Sequence, residues 1–279
     1  MKPLVFLIGC SRSGTTLLQS LLAIHPDIAS FPETHIFQYL FANSYEPRRH
    51  ALGLSSRHLK PKMEKFIKEE LGRPELLKYL PHPLFKKLYA EKFIKILEIL
   101  ADEEGKKIVL EKTPDHIYCL EKIEKYFPQA KFIHLLRNGA DVVASLYEVT
   151  HEYPQSWGGA RNIDQCLTNW INAVQISQKY VSKPNHHLVR YENLIQAPKE
   201  TLQEICTAIK INFDQNMIDN YGISAKILSS DSVGRSVNCQ GIIGNSSNKF
   251  TRIFNLEQQE YILNRLSIID LDNLANKKS

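Results

Sequence analysis

The stretch that most constrains the fold of this chain is residues 3–16, PLVFLIGCSRSGTT. Within it, Leu4–Ile8 is an unbroken apolar run, which is typical of a buried parallel strand. The run leads into a loop bounded by Gly9 and Gly14, and Leu17–Ile24 continues with apolar residues at helical spacing. A strand, a glycine-bounded loop and a helix together build an anion site, because the loop N–H groups and the positive end of the helix dipole converge. The ligand is therefore expected to carry a phosphate or a related oxyanion.

The loop differs from the nucleotide-binding P-loop in its cation. That motif reads G-x-x-x-x-G-K-[ST], and its Lys reaches the β- and γ-phosphates. Here the spacing of the two glycines is kept, but Thr15 replaces the Lys, and Arg12 supplies a cation from within the loop. The missing Lys argues against a triphosphate ligand. The residues expected to contact the anion are Ser11, Arg12, Ser13, Gly14, Thr15 and Thr16.

Length and composition set broad limits on the chain. Its 279 residues suit one α/β domain, 1–279, with a basic helical insertion at about 44–100 and a late loop at about 228–252. The net charge of +5 fits either solvated lysines or a polyanionic ligand, and no nucleic-acid partner is expected. Five cysteines without a C-x-x-C pair favour a reducing, cytoplasmic location and argue against a metal site. No stretch approaches the roughly 18 apolar residues of a membrane span.

Apolar runs alternate with helical segments along much of the chain. Further strands are predicted at Ile28–Phe31, Lys107–Leu110, Lys131–Leu136 and His187–Tyr191. This alternation predicts a three-layer α/β sandwich, in which a central parallel sheet of about five strands has helices on both faces. Ligands of such folds bind beyond the carboxyl ends of the strands. The side chains that follow strands should therefore converge, and these are Arg12, Glu33, Lys112, Arg137 and Tyr191.

A second phosphate site is predicted after the strand Lys131–Leu136. Arg137 follows this strand at the place where a nucleoside triphosphatase carries a metal-binding acid. An Arg does not hold Mg²⁺ but suits a phosphate, onto which its guanidinium forks. Ser145 lies about two turns along the following helix and can face the same ligand. The alternative is a surface Arg at a strand end with a solvent-facing Ser.

Several motifs together resemble those of the PAPS-dependent sulfotransferases, where PAPS is 3′-phosphoadenosine-5′-phosphosulfate. They are RSGTTLL with the trailing HPDI and ET, then EKTP, LLRNGADVVAS and RYENL. The resemblance is closest to the tyrosylprotein, Golgi-type and prokaryotic branches. It covers residues 3–40 and 107–210 well, the tail weakly and 44–100 hardly at all. It implies a P-loop-like fold and transfer of a sulfuryl group to a hydroxyl of a peptide tyrosine, glycan, lipid or small molecule, with no metal required.

The resemblance also implies roles for individual residues. Arg12 and the loop amides would hold the 5′-phosphosulfate, Arg137 and Ser145 the 3′-phosphate, and Tyr191 would line the adenine site. A core Tyr at a strand end is the alternative for Tyr191. The late segment Gly234–Arg252 resembles a loop that closes over the nucleotide through Lys249 or Arg252, and a plain surface loop fits its composition equally well.

The resemblance further assigns the chemical step. Glu33 would be the general base, since a carboxylate within hydrogen-bond reach can take the proton of an attacking hydroxyl. Lys112 and Arg12 would stabilise the sulfuryl and leaving oxygens. The alternatives are that Glu33 merely begins a helix, that His35 is the base, and that Lys112 is an ordinary exposed side chain. The segment 44–100 is expected to shape the acceptor site.

Two rival functions fit the same loop. The first is a P-loop kinase or nucleoside triphosphatase, against which the missing Lys and Arg137 argue. The second is a nucleotide-binding protein of this fold without turnover, against which the retention of both Glu33 and Lys112 argues.

Overall fold

A five-stranded parallel sheet forms the centre of the computed structural model, which describes residues 1–41, 46–80, 85–229 and 248–271. The strand order is β2-β3-β1-β4-β5, and each neighbouring pair is parallel. The strands are β1 (Leu4–Gly9), β2 (Ile28–Ser30), β3 (Ile108–Lys112), β4 (Lys131–Leu136) and β5 (His186–Arg190). The predicted parallel sheet is confirmed.

Helices connect the strands and continue beyond the last of them. Before β3 they are α1 (Thr15–Ala23), α2 (Ile36–Phe41), α3 (Pro47–Ala51), α4 (Leu59–Lys65) and α5 (Lys86–Glu103), with a π-helical turn at Phe66–Glu70 and a 3₁₀ helix at Pro74–Tyr79. A second 3₁₀ helix, Pro114–Cys119, and α6 (Leu120–Tyr126) lead into β4. Between β4 and β5 lie α7 (Gly139–Glu152), α8 (Pro154–Trp157) and α9 (Ile163–Tyr180). The helices after β5 are α10 (Tyr191–Gln196), α11 (Pro198–Ile209), α12 (Asn216–Asp219), α13 (Tyr221–Ser229), α14 (Lys249–Ile253) and α15 (Leu256–Leu266).

The side chains of β1 show why helices cover both faces of the sheet. Leu4, Phe6 and Ile8 belong to one buried cluster, whereas Val5 and Leu7 belong to the other. Successive strand residues point to opposite faces, so an unbroken apolar strand needs apolar partners on both sides. Residues of α2, α5, α7 and α9 fill the first cluster, and residues of α1, α11 and α13 fill the second. The three-layer sandwich is thereby confirmed.

The strand order decides which predicted residues become neighbours. The loop after β1 lies in the middle, between the carboxyl ends of β3 and β4. Because β2 borders β3, the segment that follows β2 and carries Glu33 lies beside Lys112. Because β5 borders β4, Tyr191 lies beside Arg137. The sheet edge thus divides into a Glu33–Lys112 side and an Arg137–Tyr191 side, with the β1–α1 loop between them.

The segment predicted as a basic insertion is mostly helical in its described part. Met63 and Phe66 from this segment, with Phe93 of α5, are buried in the first core cluster. Residues 44–45 and 81–84 of this segment, and 230–247 of the late loop, lie outside the described residues. The division of the chain into a domain with an insertion stays a prediction. In the part of the chain that the structure describes, no helix combines the length and the apolar character needed to cross a bilayer.

Candidate functional site

The loop between β1 and α1 has the backbone of an anion cradle. Arg12 and Gly14 both adopt the left-handed conformation, with φ of 75° and 94°. Such residues turn successive backbone N–H groups toward one concave side, in front of the N-terminus of α1. The Ser13 hydroxyl lies within this loop at 1% exposure and has no hydrogen-bond partner among the described residues. A buried polar atom without a partner is costly, and a polar ligand in this loop would satisfy the Ser13 hydroxyl.

Gly14 is required by its backbone and by Tyr191. A Cβ at this position would lie 2.4 Å from Cε2 of the Tyr191 ring, which packs directly against the glycine. The close approach places Tyr191 against the anion loop. The sequence predicts that Tyr191 ends the last strand. In the structure, β5 ends at Arg190 and Tyr191 is the first residue of α10. Burial raises the pKa of its hydroxyl, and Arg137 opposes this, so the phenol stays protonated at neutral pH.

Replacing Gly14 by Ala is therefore expected to lower the free energy of unfolding by about 2–5 kcal/mol, combining left-handed strain with overpacking. Gly105→Ala is the matched control, because Gly105 also has a positive φ, of 66°, but a Cβ added there would meet no atom within 4 Å. Urea denaturation measures both variants. Equal losses in the two would show that the Tyr191 contact adds nothing to the backbone cost.

Arg12 connects the loop to the predicted 3′-phosphate segment. Its Nε donates a hydrogen bond to Oγ of Ser145 at 3.1 Å. Its guanidinium carbon also lies 5.9 Å from the centre of the Trp157 ring. Arg12 and Ser145, 133 residues apart in sequence, thus lie side by side at the sheet edge.

Arg137 lies at the end of β4 with its guanidinium over the ring of Tyr191, at 4.4 Å from the ring centre. Its Nη2 donates to Oδ2 of Asp141 at 3.1 Å, while its Nε is buried without a partner among the described residues. The Trp170 indole N–H donates to the Arg137 carbonyl at 3.0 Å and fixes the turn. Gly14, the Tyr191 ring and the Arg137 guanidinium thus stack in this order, and the Nε–H of Arg137 is a buried donor without an acceptor among the described residues.

Glu33 and Lys112 form a buried ion pair on the other side of the loop. Lys112 Nζ lies 2.5 Å from Glu33 Oε1, and the two side chains are 7% exposed for Glu33 and 3% for Lys112. Lys112 ends β3, and Glu33 follows β2, which is the adjacent strand. Lys112 is therefore not an ordinary surface lysine. The alternative base His35 is close by, with Nε2 at 3.5 Å from Glu33 Oε2.

The predicted end of the third strand at Leu110 is wrong, because β3 continues through Glu111 to Lys112. The Glu111 carboxylate is fully buried and accepts hydrogen bonds from the hydroxyls of Thr34 and Thr113, at 2.8 and 2.7 Å. Its other oxygen lies 2.8 Å from His116 Nδ1. These partners satisfy a carboxylate where a strand could not otherwise tolerate one. Glu111 thereby fixes Thr34 and Thr113, the neighbours of Glu33 and Lys112.

Glu111→Gln is expected to destabilise the protein by about 1–3 kcal/mol at pH 7, because one buried donor loses its acceptor. Burial alone raises the pKa of Glu111, but His116, Thr113 and Thr34 together lower it below the ordinary 4.5. A carboxyl group whose pKa is lower in the folded than in the unfolded protein stabilises the fold fully at pH values above its unfolded-state pKa. This stabilisation is lost as the pH falls through its folded-state pKa. The difference in free energy of unfolding between the wild type and Glu111→Gln, measured by urea denaturation, should therefore become smaller below pH 4.5. A gap that widened on acidification would contradict this.

The remaining loop residues also lie at this edge of the sheet. Ser11 Oγ donates to Oδ1 of Asp115 at 2.9 Å, which ties the loop to the segment after β3. Thr15 and Thr16 form the first turn of α1, where Thr15 is buried and Thr16 half-buried. Anion contact by these two residues stays a prediction.

Lys249 is the predicted site residue that lies farthest along the chain. It begins the short helix α14, and both Lys249 and Arg252 pair with the Glu148 carboxylate. Glu148 lies on α7, three residues after Ser145. Lys249 is thus held near the predicted 3′-phosphate segment. Most of the late loop before it, residues 230–247, lies outside the described residues.

A cleft of about 770 Å³ opens beside the Glu33–Lys112 pair. Ser11 of the anion loop lines it, so the cleft and the loop are continuous. Its apolar lining includes Tyr39, Met63, Phe66, Trp157, Ile227 and Leu228, and its cations besides Lys112 are Lys62, Lys65 and Arg161. The segment 59–70 supplies one wall of this cleft, and that residues 44–100 shape an acceptor site stays a prediction.

Sequence reasoning missed several residues of this site. Asp115, Trp157 and Arg161 line the cleft, and Glu111 holds the cleft residues Thr34 and Thr113 by hydrogen bonds. Asp115 comes shortly after a predicted strand, so the rule that side chains following parallel strands converge at one sheet edge applies to it as it does to Lys112. Trp157 ends the four-residue helix α8, and Arg161 lies in the connection from α8 to α9; both segments are too short for periodicity to carry a signal.

The comparisons with known proteins point to one family. The sulfotransferase family pattern matches residues 3–215. The chain is 25% identical to a protein-tyrosine sulfotransferase of Drosophila melanogaster, over 77% of this chain and 40% of that protein. It is 27% identical to the nodulation protein NoeE of Sinorhizobium fredii, over 74% of this chain and 50% of that protein. The chain therefore spans half or less of the length of these two relatives.

Solved structures with the same fold are also sulfotransferases. The sulfotransferase domain from the curacin biosynthetic pathway superposes with a TM-score of 0.63 at 20% identity, over 96% of this chain and 98% of that one. A mouse sulfotransferase complexed with PAP superposes with a TM-score of 0.55 at 14% identity, over 96% of this chain and 84% of that one. These likenesses show the fold, which is the P-loop-like sulfotransferase fold. Taken with the match over residues 3–215, they lead to one conclusion: this chain belongs to the sulfotransferase family.

Proposed function

We propose that the protein transfers the sulfuryl group of PAPS to a hydroxyl acceptor. The observation that carries the proposal is the buried Glu33–Lys112 pair, which lies where the anion loop meets the cleft. A proton acceptor and a fixed cation at that junction are the two groups that sulfuryl transfer to a hydroxyl needs.

The nucleotide would lie across the Arg137–Tyr191 side of the sheet edge. The loop amides, Ser13 and Arg12 would receive the 5′-phosphosulfate, and the buried Nε of Arg137 would donate to the 3′-phosphate with Ser145. Ser145 can accept from Arg12 Nε and still donate its own hydroxyl proton to the 3′-phosphate. Tyr191 would line the adenine site beside Gly14. The mouse protein of this fold was solved with PAP, which supports a bisphosphate nucleotide.

The chain's own residues then perform the chemistry. Glu33 takes the proton of the acceptor hydroxyl as that oxygen bonds to sulfur and the bond from sulfur to the phosphate oxygen breaks. Lys112, released from Glu33 as the carboxylate is protonated, stabilises the negative charge on the sulfuryl and leaving oxygens. The near-complete burial of the pair keeps water from competing with the acceptor.

The acceptor would enter the cleft with its hydroxyl toward Glu33. Tyr39, Phe66 and Trp157 on the cleft wall suit an apolar or aromatic part of the acceptor. Labelled PAPS incubated with panels of tyrosine peptides, glycans, hydroxylated lipids and phenols tests the proposal. Label should pass to members of one class with the wild-type protein and not with Glu33→Gln. No transfer above the Glu33→Gln background in any class would contradict it.

A reducing, cytoplasmic location belongs to the same proposal. The thiols of Cys10, Cys119, Cys166 and Cys206 form no disulfide among the described residues. Burial raises the pKa of Cys119, Cys166 and Cys206 to about 11. These three thiols are therefore protonated and weakly reactive at neutral pH.

A further inference from the structure

His35 lies between Glu33 and a chain of hydrogen bonds that runs back to the anion loop. Its backbone is left-handed, with φ of 50°, directly before α2 begins. Its ring Nδ1 lies 2.7 Å from Oε1 of Gln38, and its Nε2 lies 3.5 Å from Oε2 of Glu33. A non-glycine residue in this conformation is uncommon and is often found at functional sites. Each ring nitrogen of His35 thus has its own oxygen partner.

The proton positions on this chain follow from Asp115. An ionised carboxylate only accepts hydrogen bonds, so Gln38 Nε2, at 3.4 Å, and Ser11 Oγ, at 2.9 Å, both donate to it. Gln38 must then present its Oε1 to His35, which fixes Nδ1 as the donor. In the neutral ring, the other nitrogen, Nε2, carries a lone pair that faces the Glu33 carboxylate.

We propose that His35 is the proton relay that resets Glu33 during turnover; this rests on the proposed function. Glu33 gains a proton as the acceptor oxygen bonds to sulfur and the sulfur–phosphate oxygen bond breaks. The O–H bond at Glu33 Oε2 then breaks as an N–H bond forms at His35 Nε2, which leaves a carboxylate and an imidazolium. The imidazolium releases its proton to water, and the ring returns to the neutral form with Nδ1 protonated.

Exposure and charge both favour this direction of transfer. The Glu33 side chain is 7% exposed, whereas that of His35 is 38% exposed, so solvent reaches the histidine far more readily. Lys112 at 2.5 Å stabilises the ionised form of Glu33 and drives its proton toward Nε2. Tyr39 is the aromatic neighbour of His35, and Lys62 lies over its ring. The other charged groups lining the cleft are Lys65, Glu70, Asp115 and Arg161.

Two substitutions at His35 separate a relay from a structural role. His35→Gly tolerates the left-handed backbone and leaves space for a small base, whereas His35→Asn also tolerates it but fills part of that space. On an alcohol acceptor, both should reduce turnover by about 10-fold or more, a smaller loss than the roughly 10²–10⁴-fold of a group that takes the proton of the substrate directly. Imidazole added to the assay should raise the turnover of His35→Gly severalfold and that of His35→Asn much less. PAPS affinity should be unchanged, and His58→Gln, at an exposed histidine, is the control.

The acceptor provides a second test. A phenol that is already ionised at the assay pH brings no proton, so both His35 variants should sulfate it at the wild-type rate. His35 variants that are as active as the wild type on alcohols would overturn the relay. A loss of turnover that is the same on alcohols and on ionised phenols, and that imidazole does not restore, would overturn it too. A wild-type protein that transfers no sulfuryl group at all would instead overturn the proposed function.

A readout without turnover completes the test. Histidine ¹⁵N NMR reports which ring nitrogen is protonated, and the His35 signals are assigned by their loss in His35→Asn. In the wild type, the neutral ring should carry its proton on Nδ1, so that the lone pair of Nε2 can take a proton from Glu33. A neutral ring protonated on Nε2 would leave no lone pair toward Glu33, which overturns the relay.

Discussion

Glu33→Gln should lower turnover by about 10²–10⁴-fold and leave nucleotide affinity unchanged, because it removes the proton acceptor but keeps a side chain of the same shape. The Gln oxygen can still accept from Lys112, so the buried pair keeps a hydrogen bond. Turnover with labelled PAPS and calorimetric titration with the bisphosphate nucleotide measure the two quantities. Glu69→Gln, at an exposed carboxylate of the π-helical turn, is the control and should retain full activity.

The pH dependence of this variant distinguishes a base from a binding group. Raising the pH should partly rescue Glu33→Gln on a phenol, whose ionised form needs no base. It should not do so on an alcohol, which stays protonated in the accessible range. If Glu33→Gln sulfated every acceptor at the parent rate, Glu33 would be a helix-start residue only, and His35 would become the leading base.

Lys112→Met should lower turnover by about 10²–10³-fold, the usual loss for one contact to a developing oxyanion. It should also reduce the free energy of unfolding by about 3–5 kcal/mol, since a buried carboxylate loses its cation. Single-turnover kinetics and urea denaturation measure the two effects. High pH should not rescue the turnover of this variant on a phenol, because the missing group acts on the sulfuryl oxygens.

The double variant Glu33→Gln/Lys112→Met is the matched control for stability. It removes both charges, so no lone charge is left buried, and it should be more stable than Lys112→Met alone. A double variant destabilised by the sum of the two single losses would mean that the pair is not coupled in the folded protein.

The elements at the sheet edge were the most predictable part of the structure. β4 has the predicted bounds, Lys131–Leu136, because an apolar run closed by Arg137 and a helix start leaves little choice. The glycine spacing likewise predicts the β1–α1 loop. The rule that parallel strands end at one edge was enough to bring Glu33 and Lys112 into one site.

Long-range contacts decided what the sequence did not reveal. The predicted third strand ends at Leu110, whereas β3 continues through Glu111 to Lys112. A carboxylate is costly in a buried strand, and here Thr34, Thr113 and His116 make it tolerable. Tyr191 was expected to end a strand, whereas its packing against Gly14 accompanies the start of α10. Partners such as Thr34 and Gly14 lie far away in the sequence, beyond the reach of local periodicity.

Calorimetric titration with three nucleotides tests the central claim, that the sheet edge holds a nucleotide with a 3′-phosphate. Adenosine 3′,5′-bisphosphate should bind at least about 10-fold more tightly than AMP, since a charge-assisted contact is worth roughly 1.5–3 kcal/mol. ATP should bind no better than AMP. Arg137→Ala should abolish the advantage of the bisphosphate and leave AMP binding unchanged. Equal affinities for all three nucleotides, or a bisphosphate affinity that Arg137→Ala does not change, would contradict the account.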